Sequence, residues 1–184
     1  ISIPKDIAVV VMDTGTRREL KLSEYNQRRE SCESAALELG IPSLRNASIE
    51  DIENLTNQTL QQRARHVVSE NQRVLDVVKA FSIGDSLTAG RLFSESHLSL
   101  RDDYNVSGPA LDKIVEVALD APGCFGARMT GGGFAGSAVA LVTKGKVAHF
   151  CDFVSKNFEC PQNQPAFAPT RLYPVDACAG VSVM

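Results

Sequence analysis

Residues 7–12, Ile-Ala-Val-Val-Val-Met, form an unbroken apolar run rich in β-branched side chains. Such a run reads as a buried strand, ending at Asp13-Thr14-Gly15. Polar and apolar positions then take up a helical rhythm. Ser23 is placed to cap a helix reaching about Leu39, with Cys32, Ala35, Ala36 and Leu39 on one stripe. Gly40 and Pro42 end it. Ser48 with Asp51 predicts the capping of a short second helix. The longest helical period covers 58–81, through Leu60, Ala64, Val67, Val68, Val74, Leu75, Val78 and Phe81. Gly84 breaks it, and Asp85 caps a further helix over about 86–100. Pro109 suits a first turn, and Leu111, Ile114, Val115 and Ala118 carry a stripe to Leu119 before Pro122-Gly123.

Beyond Gly123 the pattern changes. Residues 124–129 predict a short strand, 131–136 a glycine-rich loop and 137–143 a second buried strand. A helix over 145–158 places Val147, Phe150, Cys151, Val154 and Phe158 on one face. A polar, proline-rich loop follows over 161–169, then strand over 170–176 and a further stretch of strand over 180–184. The order is strand, several helices, strand, loop, strand, helix, strand, without internal repeats. It predicts an α+β domain with helices packed on a small sheet. The order of the strands in that sheet is not fixed by the pattern.

A chain of 184 residues is the length of one domain. With 43% apolar and 22% charged residues it has the composition of a globular protein with a sizeable core, not of a disordered or collagenous chain. No apolar run approaches the length of a membrane span. A net charge of −3, the absence of Trp and only 6% aromatic residues argue against nucleic acid as a partner. The five cysteines, Cys32, Cys124, Cys151, Cys160 and Cys178, are odd in number and widely spaced, with no C-x-x-C. They read as small core residues, and a reducing cytoplasm is the expected location.

The segment with most chemistry in it is Arg128-Met129-Thr130-Gly131-Gly132-Gly133-Phe134-Ala135-Gly136. Consecutive glycines between strands let the backbone reach positive φ and approach a ligand closely, and successive N–H groups there can cradle an anion. The same residues also suit a plain turn or bulge. The loop is neither a Walker A motif, since no G-K-[ST] follows, nor a Rossmann fingerprint. Arg17 and Arg18 follow the first strand, and either one of them faces phosphate or the two form a solvated pair. Arg101-Asp102-Asp103 has the carboxylates of a magnesium site, but reads better as a hydrogen-bonded helix end. His66, His97 and His149 are widely spaced and read as helix histidines rather than ligands.

Arg128–Gly136 with the strand after it resembles the third signature motif of the galactokinases, in the GHMP sugar-kinase superfamily. Three more segments resemble that family in the same order: Val9–Cys32, which includes S-E-Y-N-Q-R-R-E-S-C, Arg63–Glu70, and Ser96–Leu111. The resemblance covers nearly the whole chain and is weakest over 41–57 and 144–175. It implies a ferredoxin-like α+β sandwich with extra helices, forming the C-terminal domain of such a kinase over residues 1–184. It further implies that the N-terminal half, with the ATP cradle, is absent.

The activity implied is transfer of the ATP γ-phosphoryl group to the anomeric hydroxyl of galactose, with Mg2+, giving galactose 1-phosphate. Tyr25 would contact the sugar, and Gly131, Gly132 and Gly133 would close the site beside sugar and phosphate. Arg17 is a candidate for the phosphate side, and no catalytic residue or metal ligand is expected in this span. Its partners would be galactose, ATP and its own N-terminal domain. The family's nucleotide motif, of the type P-x-x-x-G-L-S-S-S, does not occur in these residues. A non-catalytic sugar and nucleotide sensor, a kinase for a related sugar such as N-acetylgalactosamine, and a purely structural domain are the alternatives. In the alternative reading of Tyr25, it is a capping-turn residue packed on the domain. Ala135 stands where the family commonly has another glycine, and would be strained if that position needs positive φ.

Overall fold

The computed structural model describes residues 1–17 and 22–176. Arg18, the side chain of Ser23, Cys178 and the strand expected over 180–184 lie outside the described residues. Four strands, β1 (Ile7–Asp13), β2 (Cys124–Met129), β3 (Ser137–Thr143) and β4 (Arg171–Val175), form one sheet in the order β2-β3-β1-β4. Every pairing is antiparallel, with Val10 opposite Ala140 and Met12 opposite Ala138 at the centre. The helices are α1 (Leu22–Glu38), α2 (Ile49–Ile52), α3 (Gln58–Ser82), α4 (Ser86–Asp102), α5 (Pro109–Asp120) and α6 (Val147–Asn157). With α1–α5 between β1 and β2, and α6 between β3 and β4, the strands follow the split β-α-β-β-α-β plan with extra helices. This is the ferredoxin-like α+β arrangement that the resemblance implied.

The apolar run of β1 is continuous because helices cover both faces of the sheet. Successive strand residues point to opposite sides. Val10 and Met12, with Ala138, Ala140 and Val142 of β3, pack against Ile114, Val115 and Ala118 of α5 and Phe150 and Val154 of α6. Ile7, Val9 and Leu141 face the other way, onto Ala80 and Phe81 of α3 and Ala89 and Phe93 of α4. A third cluster, Ala35, Ala36, Leu44, Ile52, Leu55 and Ala64, joins α1, α2 and α3 at a distance from the sheet.

The helix boundaries follow the capping chemistry. The Ser48 hydroxyl accepts from the Asp51 N–H while the Asp51 carboxylate accepts from the Ser48 N–H, a complete capping box. Asp85 accepts from the Thr88 N–H at the start of α4. The helix expected from 145 begins instead with a 3-10 turn over Lys144–Lys146, and α6 proper starts at Val147. Gly145 lies in that turn, and glycine is a poor former of the helix interior. Pro174 sits in the edge strand β4, where the missing N–H costs least.

Helix α4 meets β2 backbone to backbone. A Cβ on Gly126 would lie 1.8 Å from the Gly90 carbonyl oxygen, and one on Gly90 would lie 2.0 Å from the Phe125 carbonyl oxygen. The register of β2 also shifts between Cys124 and Gly126, where the strand bends under the helix. Since backbone atoms stand on both sides, neither can give way. Gly90→Ala is expected to lower unfolding free energy by about 2–3 kcal/mol through overpacking, read as a reduced denaturant midpoint. An unchanged midpoint would show that this contact does not seat the helix.

Candidate functional site

Three segments meet at one cleft of about 410 Å³: the first turns of α1, the stretch after α4, and the glycine-rich loop between β2 and β3. Tyr25, Arg28, Tyr104, Gly131, Gly132 and Phe134 stand on its walls. Tyr25 and the glycine loop, far apart in the chain, therefore share a cleft. The Tyr25 side chain is 66% exposed, so it is not a packed capping-turn residue.

The glycine loop is bound firmly at its base. Thr130 N–H donates to the Ser137 carbonyl at 3.0 Å, closing the hairpin. The Thr14 N–H and hydroxyl both donate to the Gly136 carbonyl, at 3.0 and 2.6 Å. Gly136 N–H donates in turn to the Thr16 hydroxyl at 3.3 Å. Gly131, Gly133 and Gly136 all take positive φ. At Gly133 space matters as well, since a Cβ would lie 2.0 Å from the Val106 carbonyl oxygen. Ala135 is not among the positive-φ residues. Phe134 carries that conformation instead, with φ 64°, so Ala135 is unstrained in this respect. A bulky residue in the left-handed region is unusual and strained.

The stretch after α4 is held from outside. Arg28 donates Nε to the Tyr104 carbonyl and Nη2 to the Asn105 carbonyl, each at 2.7 Å. Arg63, buried on α3, donates Nη1 to the Asp103 carbonyl. Phe134 N–H donates to the Val106 carbonyl at 2.6 Å. Asn105 has φ 54°, a conformation that Asn tolerates. Asp103 accepts from the Ser99 hydroxyl at 2.9 Å, and Arg101 pairs with its exposed neighbour Asp102. This is the hydrogen-bonded helix end expected from Arg101-Asp102-Asp103. Among the described residues no group of three or more His, Cys, Asp and Glu side chains is arranged to hold a metal ion.

Two buried polar groups fix the strand that leads into the loop. His97 Nδ1 accepts from the Met129 N–H at 3.2 Å, so its proton lies on Nε2, 3.3 Å from Asp112 Oδ1. Burial raises the Asp112 carboxyl, but hydrogen bonds from His97 and Ser107 outweigh it and hold the group below its ordinary value. Glu70 accepts from Ser96, from Arg73 and, at 2.8 Å, from Arg128 on β2. Burial raises its carboxyl too, and Ser96 and the two arginines bring it below the usual range. Arg17, the candidate for the phosphate side, forks onto Asp13 at 2.8 and 2.9 Å and lies outside the cleft wall. That hydrogen bond lowers the Asp13 carboxyl.

The sequence reading missed Arg28, Arg63 and Phe134. The two arginines have no local signature, because their partners are backbone carbonyls far along the chain. Phe134 looks apolar and unremarkable until its φ is known.

The description "GHMP kinases C terminal" matches residues 77–160. Galactokinase of Chloroflexus aggregans is 47% identical over 158 residues, which span 82% of this chain and 40% of the relative. Human galactokinase is 43% identical over 161 residues, spanning 86% and 41%. Among solved structures, Lactococcus lactis galactokinase complexed with galactose matches with a TM-score of 0.83 at 37% identity, over 92% of this chain and 45% of that one. Mevalonate kinase of L. major, at 18% identity and a TM-score of 0.62, shares the fold alone. The chain spans about two-fifths of the length of the curated relatives it matches.

The back of the cleft generates a pH dependence. The Tyr104 ring stacks on His66 with centroids 4.5 Å apart, and His66 Nδ1 is 3.0 Å from the Ser99 hydroxyl. Burial pushes His66 down to about 4 and Tyr104 up to about 12. Unfolded, His66 takes up a proton near 6.5; folded, it does so only near 4. Stability is therefore whole above about pH 6.5 and falls as the pH drops toward 4. Between pH 7.5 and pH 5 the expected loss is about 2 kcal/mol, seen by denaturant titration at the two pH values and largely absent in His66→Gln. The lowered carboxyls of Glu70 and Asp112 act only below their own ordinary values, so they do not mask it.

Proposed function

From a chain that carries a GHMP kinase C-terminal domain and is related to galactokinases over most of its length, we propose one wall of a sugar-kinase active site. The reaction is transfer of the γ-phosphoryl of ATP to the anomeric hydroxyl of galactose, giving galactose 1-phosphate. One observation carries the proposal: Tyr25 faces one cleft with Gly131 and Gly132, while Gly133 is buried behind them against Val106, in a fold that matches a galactokinase complexed with galactose.

A phenol suits this task. Its ring covers an apolar sugar face, and its hydroxyl forms one hydrogen bond. Gly131 and Gly132 present backbone without side chains, so a polar ligand can come close to the loop there. Phosphoryl transfer also needs a nucleotide cradle, a magnesium ion and a group that orients the accepting hydroxyl. The string P-x-x-x-G-L-S-S-S is absent from these 184 residues. The described residues also bring together no metal-binding cluster. As the resemblance implies, we assign ATP and Mg2+ to another stretch of polypeptide, with this domain binding and orienting the sugar. Arg17, paired with Asp13 beside the loop base, is a weaker candidate for the phosphate side than it was in the sequence.

A coupled assay of ADP release, with a panel of sugars, tests the reading. The complete polypeptide is expected to release ADP only with galactose, and residues 1–184 alone to release none. Tyr25→Phe is expected to raise the galactose KM about 5-fold, the worth of one hydrogen bond of roughly 1 kcal/mol. Turnover only on N-acetylgalactosamine, or sugar binding without turnover, would replace the proposal with one of its alternatives.

A further inference from the structure

We infer that Gln164, in the proline-rich loop after α6, is a positioning residue that latches Phe134 and so holds the glycine loop against the cleft. The inference rests on the sugar-site reading above, but the latch itself can be measured without it.

Helix α5 begins without a side-chain cap. Its N-cap is Gly108, followed by Pro109 at the first helical position. A glycine is required there, because a Cβ would lie 2.4 Å from the Phe134 carbonyl oxygen. The close approach of the glycine loop thus denies α5 the Ser, Thr, Asp or Asn that usually accepts from a first-turn N–H. Gln164 supplies that acceptor from a distant loop: its Oε1 accepts from the Ala110 N–H at 2.9 Å. Its Nε2 donates to the Phe134 carbonyl. The orientation of the amide is fixed by its partners, since an N–H can only donate and a carbonyl only accept.

Phe134 is the strained residue of the loop, and such a conformation persists only where the surroundings over-determine it. Its N–H is taken by Val106 and its carbonyl by Gln164. Gln164 is itself anchored. Its N–H donates to the Pro161 carbonyl at 3.0 Å, and its carbonyl accepts from the Cys160 thiol at 2.9 Å. Further along the same loop, Phe167 and Ala168 donate their N–H groups to the Gly15 carbonyl at 2.9 and 3.3 Å. The proline-rich loop therefore ties together the strained residue, the start of α5 and the turn after β1.

The test is hydrogen exchange and galactose kinetics on the complete polypeptide with two substitutions. Gln164→Met keeps the length and removes both bonds. Gln164→Glu keeps the acceptor for Ala110 but turns a second acceptor toward the Phe134 carbonyl. In both, exchange over 131–136 is expected to rise at least 10-fold while the β3 strand, 137–143, is unchanged. The galactose KM is expected to rise at least 5-fold with kcat altered less than 2-fold. Unchanged loop exchange, a uniform rise across the whole chain, or faster loop exchange with an unchanged KM would each overturn the inference. A wild-type polypeptide that does not phosphorylate galactose would defeat the functional reading instead, and exchange alone would then decide the latch.

Discussion

Four consecutive backbone carbonyls, those of residues 103–106, set the geometry of the cleft. They belong to the irregular stretch just after α4, which has no helix or strand partner to bond them. Their donors come from three stretches of chain: Arg63 of α3 at 103, Arg28 of α1 at 104 and 105, and the Phe134 N–H at 106. Hydrogen bonds in which the donor is charged are shorter and stronger than neutral ones. Positive charge at a helix C-terminus is also favoured by the helix dipole. One segment after α4 thereby brings α1, α3 and the glycine loop to a common centre, and Tyr25 is carried to the cleft by the same helix as Arg28.

Close backbone approaches complete what the carbonyls begin. Gly90 against Gly126 seats α4 on β2, and Gly133 against Val106 presses the loop onto the segment before α5. Such contacts tolerate almost no displacement, because the facing atoms are backbone and no rotating side chain can make room. Polar groups of α3 and α4 that bond to β2 add direction. Glu70 holds Arg128 and His97 holds the Met129 N–H, so the strand enters the loop in one register. The open rim of the cleft, formed by Tyr25, Gly131 and Gly132, is the part left exposed to solvent.

This division suits the half-site proposed above. A rigid wall that binds and orients a sugar places the accepting hydroxyl, and holding reactants in register is itself a large part of catalysis. The chemistry of phosphoryl transfer, by contrast, is electrostatic and concentrated on the nucleotide and metal. Under the proposed function, the domain's features fit the first task. Of the arginines along the cleft, Arg28 is engaged with backbone carbonyls and Arg29 with Glu33.

Much of the fold was legible in the residues, because strand and helix follow from local periodicity. The run 7–12, the stripe over 58–81, the Ser48–Asp51 box and Asp85 each depend only on near neighbours, and each element lies where its pattern put it. The site was legible in part: Tyr25 and the triple glycine stood out through resemblance to a family, and the structure brings Tyr25, Gly131 and Gly132 to one cleft but buries Gly133. The strand order β2-β3-β1-β4, the capture of carbonyls 103–106 and the reach of Gln164 to Phe134 and Ala110 were decided by tertiary structure alone. A backbone carbonyl is the same at every position, so no residue type announces that it will be bound by an arginine 40 or 76 positions away. The positive φ of Phe134 belongs to the same class, since it is imposed by what surrounds the residue and not by the residue itself.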